Sequence, residues 1–270
     1  MKPLLFFSQT TPRPVSTKTL NEIFIQHELD KSRADEHDFG WHKSYPYCHC
    51  NGYSTFYGPK LEPLRHSPIR MLEIGICTQL FPFGSVKAWL DYFPYAEVWG
   101  MDNFGIGSYP AGSDEALLEK APLLHPLLDR GLSFIFGDMG DKDCVQEAKN
   151  QLISASITKF DFIIDDGSHI SKDTLTSLDI FWDMIVPGGF YAIEDLATAW
   201  PEPQGSLMHG NNYEVLWALK SMYDPTPELY PYSDQCLDVI PRVVKSLEGV
   251  GLGLSLDHAN WIAFLTKKTK

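Results

Sequence analysis

An α/β architecture, with an open and largely parallel sheet covered by helices on both faces, is predicted by three features of this 270-residue sequence. Short apolar runs recur from Ile69 onward, separated by amphipathic stretches long enough to serve as crossover helices. Several of those runs stop abruptly on an acidic residue or a glycine. Hydrophobic residues make up 44% of the chain, enough for a full core, yet no run of about 18 apolar residues is present that would span a bilayer.

Taken in order, the runs give seven strands: Arg70–Ile74, Glu97–Met101, Leu132–Phe136, Phe160–Ile164, Gly189–Ile193, and a closing pair at Gly251–Leu256 and Trp261–Leu265. Helices are expected over Ser85–Tyr92, Asp141–Ile153 and Lys172–Met184, the last with Ser171 as its cap. Upstream, a helix at Thr19–Leu29 leads into a stretch rich in His, Tyr, Gly and Pro. That stretch lacks periodicity and reads as an ordered loop or lid carrying Trp41, Tyr45, Tyr47, Tyr53, Phe56 and Tyr57. The organisation that follows is an N-terminal helix and lid over 1–68, then a main domain over 69–270 with an inserted loop region at about 197–241.

The net charge of −13 argues against nucleic acid and anionic membrane surfaces as partners, since both call for a basic face. Five cysteines, odd in number and irregular in spacing, point to reduced thiols. The opening MKPLLFFSQTTPRP is too brief an apolar patch for a secretory signal, so a cytoplasmic chain is expected.

Open α/β sheets bind ligands beyond the carboxyl ends of their strands, so the strand ends carry the functional reading. The first strand ends RMLEIGIC, placing Glu73 and Gly75 before a loop that reaches Ser85 at a helix start. Glycine permits close backbone approach to a ligand, and a helix N-terminus offers amide donors; a purely structural turn fits the same residues. The dinucleotide fingerprint GxGxxG is absent. Asp102 ends the second strand, where a carboxylate can accept both hydroxyls of a ribose. Asp138 ends the third, where it can accept from an adenine amino group; helix capping is the plainer role for each.

Strand four ends FDFIIDDGSH, and strand five ends YAIED. Neighbouring strands lie about 4.8 Å apart, so Asp165–Asp166 and Glu194–Asp195 converge unless they splay into water. Four carboxylates together need a cation, and oxygen ligands suit magnesium, calcium or manganese better than zinc. His169, three residues after Asp166, is placed to take a proton at that mouth, although a lone histidine is more often structural. A zinc site from His37, His42, Cys48, His49 and Cys50 is the weaker metal reading, because its spacing matches no common finger. His209 and Tyr213, in the insertion after the second acidic pair, are candidates to touch an acceptor.

LEIG (72–75), WLDYFPYAEVWGMD (89–102), GD (137–138), FDFIIDDGSHI (160–170), PGGFYAIEDL (187–196) and HANWIAFL (258–265) together resemble class I S-adenosylmethionine-dependent methyltransferases. More narrowly, they are similar to the metal-dependent sugar O-methyltransferases of macrolide tailoring. The resemblance implies a Rossmann-like fold, S-adenosyl-L-methionine as cofactor with Mg2+ or Mn2+, and a sugar or glycosylated small molecule as acceptor; a homo-oligomer is one option for its assembly. Carried over, Glu73, Gly75 and Ser85 hold the methionine end, Asp102 the ribose and Asp138 the adenine, while Asp165 orients the amino group. Asp166, Glu194 and Asp195 ligate the metal and His169 is the general base. Cys77 departs from the pattern, standing where most members carry a second glycine. The rival readings are a catechol-type O-methyltransferase, a non-catalytic cofactor-binding accessory protein, and a metal-dependent hydrolase; the last leaves Asp102 and Asp138 unexplained.

Overall fold

The computed structural model describes residues 2–9, 12–29, 31–32, 52–77, 82–105, 108–196, 212–221, 232–254 and 261–269. Within them, strands β1 (Leu4–Phe6), β2 (Arg70–Ile74), β3 (Glu97–Asp102), β4 (Leu132–Phe136), β5 (Phe160–Asp165), β6 (Ile185–Ile193), β7 (Leu247–Leu254) and β8 (Trp261–Lys267) form one sheet. Its order is β1-β4-β3-β2-β5-β6-β8-β7. The five strands β4, β3, β2, β5 and β6 are mutually parallel. At the margins β1 runs antiparallel to β4, and β8 runs antiparallel to both β6 and β7. Seven strands were expected; the eighth is β1, whose three residues are too few to show a period.

Burial on both faces explains why the central strands read as unbroken apolar runs. In β5, Phe160 and Ile163 enter the core on one face, Phe162 and Ile164 the core on the other. Helices α1 (Leu20–Gln26), α2 (Ser54–Leu61), α3 (Gly84–Tyr92) and α4 (Asp114–Asp129) cover the Phe162 face. Helices α5 (Lys142–Ser154), α6 (Ser171–Phe181), α7 (Tyr213–Lys220) and α8 (Asp234–Val244) cover the Phe160 face. The N-terminal helices therefore share the core of the sheet: Tyr57 of α2 meets Trp89 edge-on at 5.8 Å and Phe264 at 5.3 Å.

Four helices go beyond the sequence reading: α2, α4, and α7 and α8 from the region of the expected insertion. Residues 54–61, expected as loop, form α2 with Pro59 inside it. Helix α4, unanticipated, contains Pro122 and Pro126, and α8 contains Pro241 within the expected insertion. Proline removes a helical hydrogen bond and crowds the preceding turn, so these stretches lack a clean signal. Helices α4 and α8 are both capped, Ser113 accepting from Ala116 N and Ser233 from Cys236 N, and both bury an apolar face, Leu124 and Leu127 of α4 and Val239, Ile240 and Val243 of α8. Ser171 is not a cap, because Ile170 occupies that position and Ser171 is the first residue of α6.

Candidate active site

The register of the parallel strands places the acidic ends side by side. Ile74 is paired with Asp165, and Asp165 with Ile193, so Gly75, Asp166 and Glu194 leave the sheet as neighbours. The backbone continues the ladder one step further, with Asp166 N donating to Ile74 O and Glu194 N to Asp165 O, each at 2.9 Å. Gly75 adopts φ +81°, and a Cβ there would lie 2.1 Å from the Asp166 carbonyl oxygen. Gly75→Ala thus forces apart the two strand tips that make the site. It should cost about 2–5 kcal/mol, combining left-handed strain with overpacking; a denaturant melt matching wild type would contradict this close approach.

Glu73 is fully buried beneath the Gly75 turn. Ser85 Oγ and Trp89 Nε1 both donate to its Oε2, at 2.7 and 3.1 Å, whereas its buried Oε1 accepts no hydrogen bond among the described residues. Ser85 therefore fixes Glu73. Asp102 accepts amide hydrogens from Ile76 and Cys77 at Oδ2 (2.8 and 2.9 Å) and from Phe104 at Oδ1 (2.6 Å). That uses three of a carboxylate's roughly four acceptor directions. Asp138 Oδ1 accepts from Asn103 Nδ2 and Gly140 N at 3.0 and 2.9 Å. Cys77 pairs with Pro82 in an isolated antiparallel bridge. Burial, then the Asp102 charge, pushes its thiol up to about 12, which leaves it chemically quiet.

Asp165 turns beneath the site, where Tyr191 OH donates to its Oδ2 at 2.8 Å, and burial raises its carboxyl to about 7. Asp166, His169 and Asp195 converge, each offering a ligand atom within 4.8 Å of the others. His169 Nε2 lies 3.5 Å from Asp195 Oδ2 and 4.0 Å from Asp166 Oδ1. His169 and Asp195 both sit in the left-handed region, at φ +56° and +54°, an uncommon conformation for residues other than glycine that tends to cluster at functional sites. Glu194 is brought to the same mouth, but Tyr57 OH donates to its Oε1 at 2.6 Å and Lys31 forms a short ion pair with its Oε2.

Three side chains reach the cluster that the sequence reading does not place there, Tyr53 and Tyr57 being expected only as lid aromatics. Lys31 bridges Glu194 and Asp166, at 2.7 Å from Asp166 Oδ2. Tyr53 OH donates to Asp195 Oδ1 at 2.8 Å, and Tyr57 holds Glu194. Their four-residue spacing, which sets two side chains on one helical face, was the available signal for the tyrosines; Lys31 had none. The candidate zinc ligands His37, His42, Cys48, His49 and Cys50, the aromatic residues Trp41, Tyr45 and Tyr47, and His209 all lie outside the described residues. Tyr213 opens α7.

Burial raises Glu73 to about 7, against the opposing pull of Lys31. The native state then holds that proton more tightly than the unfolded chain. Its contribution to stability is complete below the ordinary glutamate range and is lost as pH rises through 7. The Tm of ion-free protein should accordingly rise by a few °C, roughly, as pH falls from about 8 to about 6. Scanning calorimetry across that window checks it, and a falling Tm would be the opposing result.

No family model matches the chain. Over 177 residues it is 29% identical to demethylmacrocin O-methyltransferase of Streptomyces fradiae, covering 64% of this chain and 39% of that one. Over 153 residues it is 28% identical to mycinamicin VI 2''-O-methyltransferase of Micromonospora griseorubida, covering 55% and 33%. Over another 153 it is 33% identical to L-olivosyl-oleandolide 3-O-methyltransferase of Streptomyces antibioticus, covering 55% and 34%. The match thus spans about two fifths or less of these curated relatives. In structure, the chain superposes on MycE methyltransferase from the mycinamycin biosynthetic pathway, solved in complex with Mg, SAH and mycinamycin VI. The TM-score is 0.56 at 21% identity, over 93% of this chain and 54% of that one. The chain has the class I methyltransferase fold, and its sequence relatives are macrolide and sugar O-methyltransferases.

Proposed function

We propose that this chain is an O-methyltransferase that binds S-adenosyl-L-methionine and a divalent cation, Mg2+ or Mn2+, and acts on a hydroxyl of a sugar or glycosylated small molecule. The observation that carries the reading is the convergence of Asp166, His169 and Asp195 at the β5 and β6 tips, beside the Gly75 turn. Similarity to sugar O-methyltransferases supports the acceptor class.

The residues present fit both groups. Two carboxylates facing an imidazole form a donor set for a hard cation, with the imidazole as neighbour. The buried Glu73 Oε1 accepts no hydrogen bond among the described residues and has the Lys31 ammonium 3.8 Å away, so it suits a cationic group such as the ammonium of the methionine end. Gly75 and Ser85 complete that end, Gly75 by bringing the strand tips together and Ser85 by fixing Glu73. Asp102 would take the ribose and Asp138 the adenine, while Asp165, tied to Tyr191, supports the floor of the pocket.

When bound, the cation lowers the pKa of a coordinated hydroxyl, and the sulfonium provides a methyl group already activated for transfer. Asp166 and Asp195 supply the negative charge that would hold the cation, and Glu194 adjoins them. His169 Nε2 accepts the proton from the acceptor hydroxyl, and Asp195, 3.5 Å away, stabilises the imidazolium that results. Tyr53 fixes Asp195 from the far side. Three buried cysteines, Cys77, Cys144 and Cys236, carry thiols rather than disulfides, which supports a cytoplasmic site of action.

The test is calorimetry with S-adenosylmethionine, followed by product analysis on a panel of glycosides and catechols with Mg2+ present. Binding and methylated glycoside are expected. Methylated catechol alone would shift the acceptor class, and binding without any product would reduce the chain to an accessory protein.

A further inference from the structure

Lys31 is 3% exposed and sits within the acidic cluster itself. Its Nζ lies 2.7 Å from Asp166 Oδ2, forms the short ion pair with Glu194 Oε2, and stands 3.8 Å from Glu73 Oε1. With Tyr57 on Oε1, both oxygens of Glu194 are taken by groups from the N-terminal segment. Asp166 is divided: one oxygen faces Lys31 and the other faces His169 at 4.0 Å. The groups that gather on the His169 side are Asp166, His169 and Asp195, without Glu194.

We infer that Lys31 is a positioning residue that partitions the acidic cluster. It engages Glu194 and the inner oxygen of Asp166, and confines the divalent ion to the Asp166–Asp195 side facing His169. This deepens the metal-assisted reading above and rests on it. Two cations competing for one buried carboxylate repel each other, so Glu194 cannot serve Lys31 and a divalent ion through the same oxygen. The consequence is functional. Magnesium favours six ligands, and a site with fewer protein ligands leaves more positions for two oxygens of a vicinal diol. Lys31 also belongs to the N-terminal segment, which links the ion's site to the folding of that segment against the sheet.

The experiment is an electron paramagnetic resonance titration of the 270-residue chain with Mn2+ alone at pH 8. Wild type, Lys31→Met, Glu194→Gln, Asp195→Asn and the Lys31→Met/Glu194→Gln double variant are compared, with melting curves and S-adenosylhomocysteine binding as checks on the fold. Lys31→Met should tighten Mn2+ binding by about tenfold or more, because it removes a cation and releases Glu194 as a ligand. Glu194→Gln alone should change affinity by less than about threefold, yet abolish the gain in the double variant, a non-additivity that marks the two residues as coupled. Asp195→Asn should weaken binding by about tenfold or more. The inference is overturned if a folded Lys31→Met binds Mn2+ no more tightly than wild type, or if Glu194→Gln alone weakens it as much as Asp195→Asn. Should Lys31→Met fail to fold, that last comparison decides by itself. Wild type that binds no Mn2+ would instead defeat the divalent-ion reading, and this inference with it.

Discussion

Replacing His169 by alanine should lower turnover by about 10²–10⁴-fold, the range for removing a positioned general base, and leave S-adenosylmethionine binding intact. The imidazole stands at the mouth of the site, a quarter exposed, and the residues assigned to the cofactor lie on or just beyond β2, β3, β4 and β5 and at the start of α3, none of them in the β5–α6 loop beyond Asp165. The same ring is also close enough to Asp166 and Asp195 to act as a third ligand, and the two roles separate cleanly. A lost ligand is compensated by excess Mg2+, whereas a lost base is not. A lost base also removes the acidic limb of the pH–rate profile. The expected result is therefore a slow variant that saturating Mg2+ does not restore. Turnover near that of wild type would remove His169 from the chemistry. Its left-handed backbone adds a second check, because His169→Gly relieves the strain without restoring the proton acceptor. The glycine variant should melt at or above the temperature of the alanine variant and be equally inactive.

The sheet was legible because its central strands are buried on both faces. Residues 70–74 and 132–136 were bounded correctly from apolar runs alone, and β5 overran its expected end by only one residue, Asp165. The strand-end rule then found every acidic tip, since parallel register brings them together wherever the strands are right. What sequence could not supply was the other half of the site. Lys31, Tyr53 and Tyr57 reach the cluster across sequence separations of 135–163 residues, and only tertiary packing of the N-terminal segment on the sheet sets those contacts. Tyr57 illustrates the difficulty. It reads as one more aromatic in a Pro- and Gly-bearing stretch, yet its ring is seated between Trp89 and Phe264 and its hydroxyl is thereby aimed at Glu194. Ser85 and Asp102 show the converse. Both stand where expected, and each also holds protein: Ser85 on Glu73, and Asp102 on the backbone that follows β2 and β3, which leaves Asp102 about one acceptor direction for a ribose hydroxyl. Residues that resemble ligand contacts in a motif can equally be the supports that shape the pocket.

Stripping divalent ions with EDTA should abolish methyl transfer, and restoring Mg2+ or Mn2+ should recover it. The carboxylates of Glu73, Asp166 and Glu194 gather around the Lys31 ammonium, and Asp195 adjoins them beside His169. One ammonium cannot balance the three carboxylates gathered around it. Burial accordingly raises Glu194 well above the ordinary glutamate range and raises Asp195 too, both against the pull of neighbouring cationic groups. A site built this way is poised for added positive charge. Lewis-acid stabilisation is worth several kcal/mol, so the activity lost on chelation should be about 10²–10⁴-fold. Two further readouts do not depend on turnover. Mg2+ at about 100 times its Kd should stabilise the protein by about 2.7 kcal/mol, because an ion that binds only the folded state raises the melting temperature. S-adenosylhomocysteine affinity should change little with EDTA, since Asp102 and Asp138 sit at the tips of β3 and β4, on the far side of β2 from the acidic cluster. Full methyl transfer in excess EDTA, with no change in melting on adding Mg2+, would leave Asp166 and Asp195 as solvated strand ends.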